Sequence, residues 1–446
     1  MHVKAKHIIL ASLLVVLCFV ALDFLFWSGR FPPNCYIEKI DVSSLSRYEA
    51  LNKLKSANID DVVLSPIFLY LEEETLSFRP SELGVYISPR RTVKKADKVA
   101  FRSNYLADLF KRIFGNYEQI VVPLSMDINE EIFNVIMEGL ANSTNTPSVD
   151  AVFALTEGGR YRITKEKIGK RLDIARSRYN LKTALDLNKR SAMIEVAALT
   201  PRVYAKDLVK YPPKYLLSEY TTYYGSHDSP NRVHNIKLSS SRTNNYVMVS
   251  GEVFSLLDAL GDFNRSSGYK EAFVLYNGEL EPQYGGGSCQ IASTFYNAAL
   301  LAGLEIIERY NHGIYFTIYP LGRDASIYTG FRDLKIKNNT GHPVYIKAYA
   351  TDKRLTYGIY GTPTAKKISF SRPMIFFEGE KYVPYDVMTA EAIAKINEAL
   401  ISGKPFYSYV TVTTQHAGYT TEKVIYSHYK LTGDRENVKI VRPEPQ

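Results

Sequence analysis

The chain has 446 residues, 46% hydrophobic and 23% charged, which is enough for several packed domains and too apolar for a disordered chain. Three cysteines are too few for a disulfide framework, and 34 tyrosines favour β-rich structure with polar, wet surfaces. A net charge of +9 predicts an anionic partner, which for a chain outside the cytoplasm means anionic lipid or wall polymer and not nucleic acid.

The elements begin with an apolar run from Ile8 to Trp27, about the 20 residues that a helix needs to cross a bilayer. Asp23 alone interrupts it, close to the far end, where a charge costs less than at mid-bilayer. Lys4 and Lys6, with His2 and His7, precede the run, so residues 1–30 are expected to be a cytoplasmic tip and a transmembrane anchor. A cleaved signal peptide would have a shorter apolar core followed by small residues, whereas Phe24-Leu25-Phe26-Trp27 closes this one. Cys35 follows Pro33-Asn34, unlike a lipoprotein cysteine, and shares no context with Cys289 that predicts a bridge.

Residues 36–120 and 121–205 are expected to form two tandem α+β modules. Helices are predicted over Tyr48–Lys55 and Asn129–Leu140. Leu83-Gly84 and Ile168-Gly169 mark a weak internal repeat, each pair followed by a basic helix, Arg90–Ala100 or Ala175–Leu185. A mixed α/β domain is expected over 206–361, beginning with a polar stretch broken by Pro212-Pro213 and Pro230. A small β-rich domain is expected over 362–446, with strands at Tyr407–Thr413 and Lys423–Tyr429, a helix at Thr389–Ile401 and a frayed Pro443-Glu444-Pro445 end. The fold class is therefore multidomain α+β.

Chemistry concentrates at Gly285-Gly286-Gly287-Ser288-Cys289-Gln290. Ile291, Phe295, Ala298 and Ala302 then recur at helical spacing up to Gly303. With Ser288 as the expected N-cap, Cys289 falls in the first turn, where the helix dipole and free N–H groups lower a thiol pKa. His312, in the strand-like run Glu305–Tyr319, is the candidate base, and Asp324 or Asp333 the residue that orients it. Gln290, Gly286, Gly287, Ser288 and Arg309 are the candidate oxyanion or substrate-binding residues. The competing structural reading makes Cys289 a small buried residue where backbones pack closely. No metal-ligand spacing and no cofactor motif is present, so neither is expected. Ser267-Gly268-Tyr269-Lys270 fits S-x-x-K but lacks its partner motifs.

From about Ser239 to Ala348 the chain resembles the VanW family, named for an accessory product of glycopeptide-resistance clusters. The residues that carry the resemblance include Gly251-Glu252-Val253-Phe254-Ser255, Gly268 to Ala272, Gly285 to Gln290, Ser293 to Ala299, Glu308-Arg309, His312, Pro320 to Ala325 and Asp333-Leu334-Lys335. Gly313 departs from a serine frequent there. The duplicated region is similar to peptidoglycan-binding modules that precede such domains. The resemblance implies an extracellular, membrane-anchored protein acting at peptidoglycan or another anionic wall polymer. One expectation is a Cys-His-Asp acyl transferase or amidase on stem peptides. The alternative is a non-catalytic peptidoglycan-binding or scaffolding protein linked to the glycopeptide response, with a structural spacer of an envelope assembly as a third reading.

Overall fold

The computed structural model describes residues 2–57, 65–100, 104–115, 117–225, 228–276, 279–316, 318–377, 383–384 and 405–429. It is multidomain and mixed α/β, and divides into two compact bodies, residues 1–148 with 168–200 and residues 149–167 with 201–446.

The first body starts with helix α1 (His2–Trp27), whose Leu10–Trp27 stretch has a mean hydropathy of 2.5 and buries none of its residues. Strands β1 (Cys35–Ile37) and β2 (Ile40–Asp41) lead to α2 (Arg47–Ser56). Ser46 and Glu49 start α2 with a capping box, satisfying two backbone N–H groups. The hairpin of β3 (Ile67–Leu71) and β4 (Glu74–Phe78) is followed by β5 (Val85–Ile87), α3 (Pro89–Ala100) and α4 (Tyr105–Phe114). Then come β6 (Ile120–Val122), β7 (Met126–Ile128) and α5 (Glu130–Thr144), which Asn129 caps.

After an excursion into the second body, β10 (Gly169–Asp173), α6 (Ile174–Asp186) and β11 (Ser191–Leu199) complete a four-stranded sheet ordered β10-β11-β3-β4. β11 runs parallel to β3, so strands from the two stretches expected as tandem modules share one sheet. They also share a core, in which Ile67, Leu69 and Leu83 pack with Phe133, Met137 and Leu181. The two marker pairs of the repeat are not equivalent in space. Leu83 is buried and Gly84 caps a turn with φ 67°, whereas Ile168 is exposed and Gly169 lies against the 146–148 backbone. The basic helices after them do form, as α3 and α6.

The second body opens with the hairpin β8 (Val152–Leu155) and β9 (Tyr161–Thr164), and α7 (Ala205–Lys210) packs on it. Its main sheet is ordered β12-β20-β19-β13, from β12 (Tyr215–Tyr223), β13 (Tyr246–Met248), β19 (Val344–Ala350) and β20 (Arg354–Gly361). Helices α8 (Pro230–Thr243) and α10 (Ser288–Leu301) pack on this sheet. Pro230, read from sequence as a break, is the first residue of α8, with Ser229 as its cap. Sequence reading misses α8 because its buried face carries Asn235, Ser239, Ser240 and Thr243, which blur the apolar period.

Between these helices lie β14 (Val253–Ser255), α9 (Leu256–Leu260) and the hairpin β15 (Glu271–Tyr276) with β16 (Glu279–Tyr284). β17 (Glu305–Glu308) and β18 (Lys335–Lys337) form a sheet with β14. The tail contributes β21 (Lys367–Phe370), β22 (Met374–Phe377), β23 (Val383–Pro384), β24 (Phe406–Gln415) and β25 (Thr420–Tyr429). β24 shows the expected alternation, yet its Val412 and Ile425 of β25 enter the core built around Phe295 and Tyr357. The tail strands thus belong to the same compact body as the main sheet. The predicted Thr389–Ile401 helix and the Pro443–Pro445 end lie outside the described residues.

Candidate active site

α10 is buried on every side from Ser288 to Leu300 except at Cys289, which is half-buried. Three glycines turn the chain into it. Gly287, with φ 108°, is the residue before the helix, so Ser288 is its first residue and not its cap. Gly286 lies so close to β15 that a Cβ would stand 2.7 Å from the Ala272 carbonyl oxygen. Ser288 donates through its hydroxyl to Gly285 O at 2.7 Å. Asn235 of α8 clamps the same turn, donating to Lys270 O at 2.8 Å and Gly286 O at 3.1 Å. Cys289 therefore occupies a rigid first turn, as the glycine-cysteine pattern predicts.

His312 is brought against this thiol from a loop beyond β17; it is not in a strand. Asp324 is its partner. The carboxylate Oδ2 accepts from the His312 backbone N–H at 2.7 Å and lies 2.6 Å from its Nδ1. That leaves Nε2 for the sulfur, to which His312 is coupled electrostatically, and the Cys289 Sγ also lies 3.6 Å from Ile327 O. The other carboxylate oxygen accepts from Arg309 at 3.0 Å and from the Tyr429 hydroxyl at 2.8 Å. Asp324 is only 1% exposed, and these donors satisfy a charge that would otherwise be very costly to bury. Asp333 is spent elsewhere, accepting from the Ser255 hydroxyl and the Leu257 N–H at the start of α9.

The electrostatics follow from this packing. Burial by itself would raise the Cys289 pKa, but the His312 hydrogen bond and charge outweigh it and lower the thiol. Burial would lower His312, but Asp324 and the Cys289 sulfur raise it to about 9. Burial would raise Asp324, but His312 and Arg309 hold its carboxyl below the usual range. All three shifts favour the charged forms, a thiol lowered beside an imidazole that a carboxylate orients. Tyr319 stacks on the imidazole, ring centroids 5.9 Å apart at 10°, and Phe316 meets it edge-on at 4.9 Å.

Cys289 and His312 both line a cleft of about 1250 Å³. Its other walls carry Phe263, Phe273, Tyr310 and Tyr328, with cations Arg232 and Arg332. Gln290 also lines this cleft, but its amide is committed to other residues. Its Nε2 donates to Thr222 Oγ1 at 3.0 Å and Tyr223 O at 3.2 Å, and its Oε1 accepts from Arg232 at 2.8 Å. The backbone N–H groups of Ser288 and Gln290 are bonded to Gly285 O and Gly287 O, flanking the Cys289 N–H on the first turn. Arg309 is likewise committed, donating to the Asp324 backbone and carboxylate, Gly322 O, Tyr426 O and Ser427. The fold brings the expected Cys289, His312 and Asp324 together, whereas the side chains of Gln290 and Arg309 hold other residues in place. Sequence reasoning misses Arg232, Tyr319 and Tyr429, none of which stands in a local motif. Among the described residues no group of His, Cys, Asp and Glu has the arrangement of a metal site.

The residues that carry the sequence resemblance prove to be one another's partners. Ser293 Oγ donates to Ala325 O and accepts from Ala325 N, both at 2.9 Å. Asn297 donates to Arg323 O at 2.7 Å and accepts from Arg323 Nε at 2.8 Å. Residues 231–360 match the family model described as "VanW like protein", and residues 76–192 that of a "Putative peptidoglycan binding domain". The chain carries a VanW-like domain behind a peptidoglycan-binding domain. The chain is 39% identical over 132 residues to the uncharacterized protein YoaR of Bacillus subtilis, covering 30% of this chain and 43% of that one. It is 30% identical over 130 residues to the vancomycin B-type resistance protein VanW of Enterococcus faecalis, covering 28% and 47%. The chain therefore spans less than half the length of either relative. No solved structure matches. The match to the VanW-like family contains Cys289, His312, Asp324 and Arg309, whereas Tyr429 lies beyond its end.

Proposed function

We propose that this protein acts at the cell wall, tethered outside the membrane by α1, as a cysteine-dependent acyl transferase or amidase on peptidoglycan stem peptides. The observation that carries the reading is the Cys289–His312–Asp324 constellation at an aromatic, basic cleft. The Cys289 thiolate attacks an amide carbonyl carbon, forming a C–S bond. The oxyanion is stabilised by the Cys289 N–H at the start of α10, while Arg232, held by Gln290 and Asp228, adds positive charge to the cleft wall. His312 gives its proton to the leaving nitrogen as the C–N bond breaks. It then takes a proton from the incoming water or amine, which attacks the thioester, breaks the C–S bond and restores the thiolate and the imidazolium. Asp324 keeps the imidazole in the tautomer that serves both steps.

The peptidoglycan-binding domain, the +9 charge and the apolar run support the location. The test is incubation of the full-length protein with purified sacculi and soluble muropeptides, followed by mass spectrometry of the products. New or cleaved amide bonds that disappear with Cys289→Ala support the enzyme. Product formation undiminished in Cys289→Ala ends it. A second reading, a non-catalytic wall-binding protein, draws on the peptidoglycan-binding match alone. Sacculus binding by both proteins without any bond change would favour it.

A further inference from the structure

The lone charge in the apolar run has a partner. The Asp23 carboxylate receives the Arg112 guanidinium through both oxygens, at 2.5 and 3.1 Å. The Tyr105 hydroxyl donates to the same carboxylate and to Val20 O, each at 2.9 Å. Both side chains of the ion pair are almost covered, at 11% and 12% exposure. Tyr105 meets the Phe24 ring edge-on at 5.2 Å, and Arg112 lies over Trp27 at 5.2 Å. Helix α4 is thus docked on one face of α1, against Val20, Asp23, Phe24 and Trp27, through Tyr105 and Arg112.

Among the described residues, nothing covers another face of α4. Leu106, Phe110, Ile113 and Phe114 are 62%, 62%, 58% and 72% exposed, and Phe110 and Phe114 stack on each other. Their i, i+4, i+7, i+8 spacing makes one continuous apolar stripe. Leu22, Leu25 and Phe26, in the stretch of α1 on which α4 is docked, are exposed as well. Val20 to Trp27 spans roughly 10 Å of helix axis at about 1.5 Å per residue. That depth agrees with the roughly 5–10 Å to which interfacial amphipathic helices sink.

We propose that α4 is an interfacial helix that lies in the outer bilayer surface beside the end of α1, its Leu106–Phe114 stripe at the boundary of headgroups and acyl chains. The partner of this surface is lipid. The inference rests on the reading of α1 as a membrane anchor. It gives Asp23 a role, because the Arg112 pair removes the cost of a lone carboxylate and fixes the helix that sets how the chain leaves the membrane. Exposed Lys111 on α4 suits anionic headgroups.

Site-specific fluorescence with lipid quenchers tests this on the full chain. Cys18→Ser and Cys289→Ser remove the accessible thiols, and the buried Cys35, pushed up to about 11 by burial and Asp41, is protected from labelling. Single cysteines replace Phe110, Phe114, Val15 in α1 and the exposed Tyr179 in α6, each labelled with an environment-sensitive dye. The proteins are reconstituted in phosphatidylcholine–phosphatidylglycerol vesicles carrying quenchers at the headgroup or mid-chain. Expected is a blue shift with loss of most intensity to headgroup-level quenchers at 110 and 114, mid-chain quenching at 15 and none at 179. Water-like emission at 110 and 114 with quenching at 15 overturns the inference and leaves the anchor standing. Water-like emission at all sites overturns both.

Discussion

Asp127 and Asp324 are both paired carboxylates held below their usual pKa, yet they do different jobs. Asp127, on β7 of the first body, meets Arg91 at 3.4 Å and also Lys182, with its side chain 31% exposed. Burial would raise it, and Lys182 and Arg91 lower it. Asp324, in the VanW-like domain, has a side chain only 2% exposed and four hydrogen-bond donors. Water screens the first network, so its loss is cheap, whereas the second has no solvent to replace a missing partner. The comparison separates a charge pair that decorates a surface from one that sets the geometry of a thiol.

The widest gap between the two networks is in chemistry. Cys289→Ala should abolish bond cleavage in the muropeptide assay while leaving sacculus binding intact, because the wall-binding match lies at 76–192. Wild-type binding lost in Cys289→Ala would mean that the cleft is itself the binding site. Next in size, Asp324→Asn should cost about 3–5 kcal/mol in denaturant unfolding, because Arg309 keeps a buried, uncompensated charge. An Asp127→Asn protein should lose at most about 1 kcal/mol in the same titration. Equal losses would erase the distinction.

The pH dependence sharpens it further. Asp324 is lowered, so its stabilisation is present above the ordinary carboxylate pKa and is lost as pH falls through its folded value. His312 is raised, so its share is full below about 6.5 and is lost as pH rises through about 9. The stability gap between wild type and Asp324→Asn should therefore narrow at both ends. Alkylation of Cys289 by iodoacetamide should stay fast below the roughly 8.5 of an ordinary thiol, and His312→Ala should move the profile above that range, because burial then acts without the imidazole. A thiol-like profile in the wild type would sink the ion-pair reading.

Smaller again is Tyr429→Phe, which removes one donor to a buried carboxylate. It should cost about 1.5–3 kcal/mol and move the alkylation profile toward that of Asp324→Asn without changing sacculus binding. A merely structural role would lower stability and leave the profile unmoved. This experiment asks whether the tail strands, beyond the family match, belong to the site.

The site was legible where its logic is local. Three glycines before a helix can only place Cys289 in a constrained first turn, and the order of Cys289, His312 and Asp324 follows the requirements of a thiol site. The choice between Asp324 and Asp333 was not legible, since both follow His312 and only packing separates them. That the Gln290 amide is occupied by Thr222, Tyr223 and Arg232 was not legible either, because those partners lie far along the chain. α8 was hidden by a polar buried face, and α4 by being read without the α1 surface that it covers.

By itself, then, the sequence determined whatever depends on near neighbours: the apolar length of α1, the Ser46–Glu49 capping box, the alternation of β24 and the cysteine at a helix start. Tertiary structure alone decided what depends on distance along the chain. Asp23 meets a guanidinium 89 residues away, and Asp324 a hydroxyl 105 residues away. Such pairs leave no periodicity to read, because burial creates the need for a partner and only the closed fold shows which residue answers it.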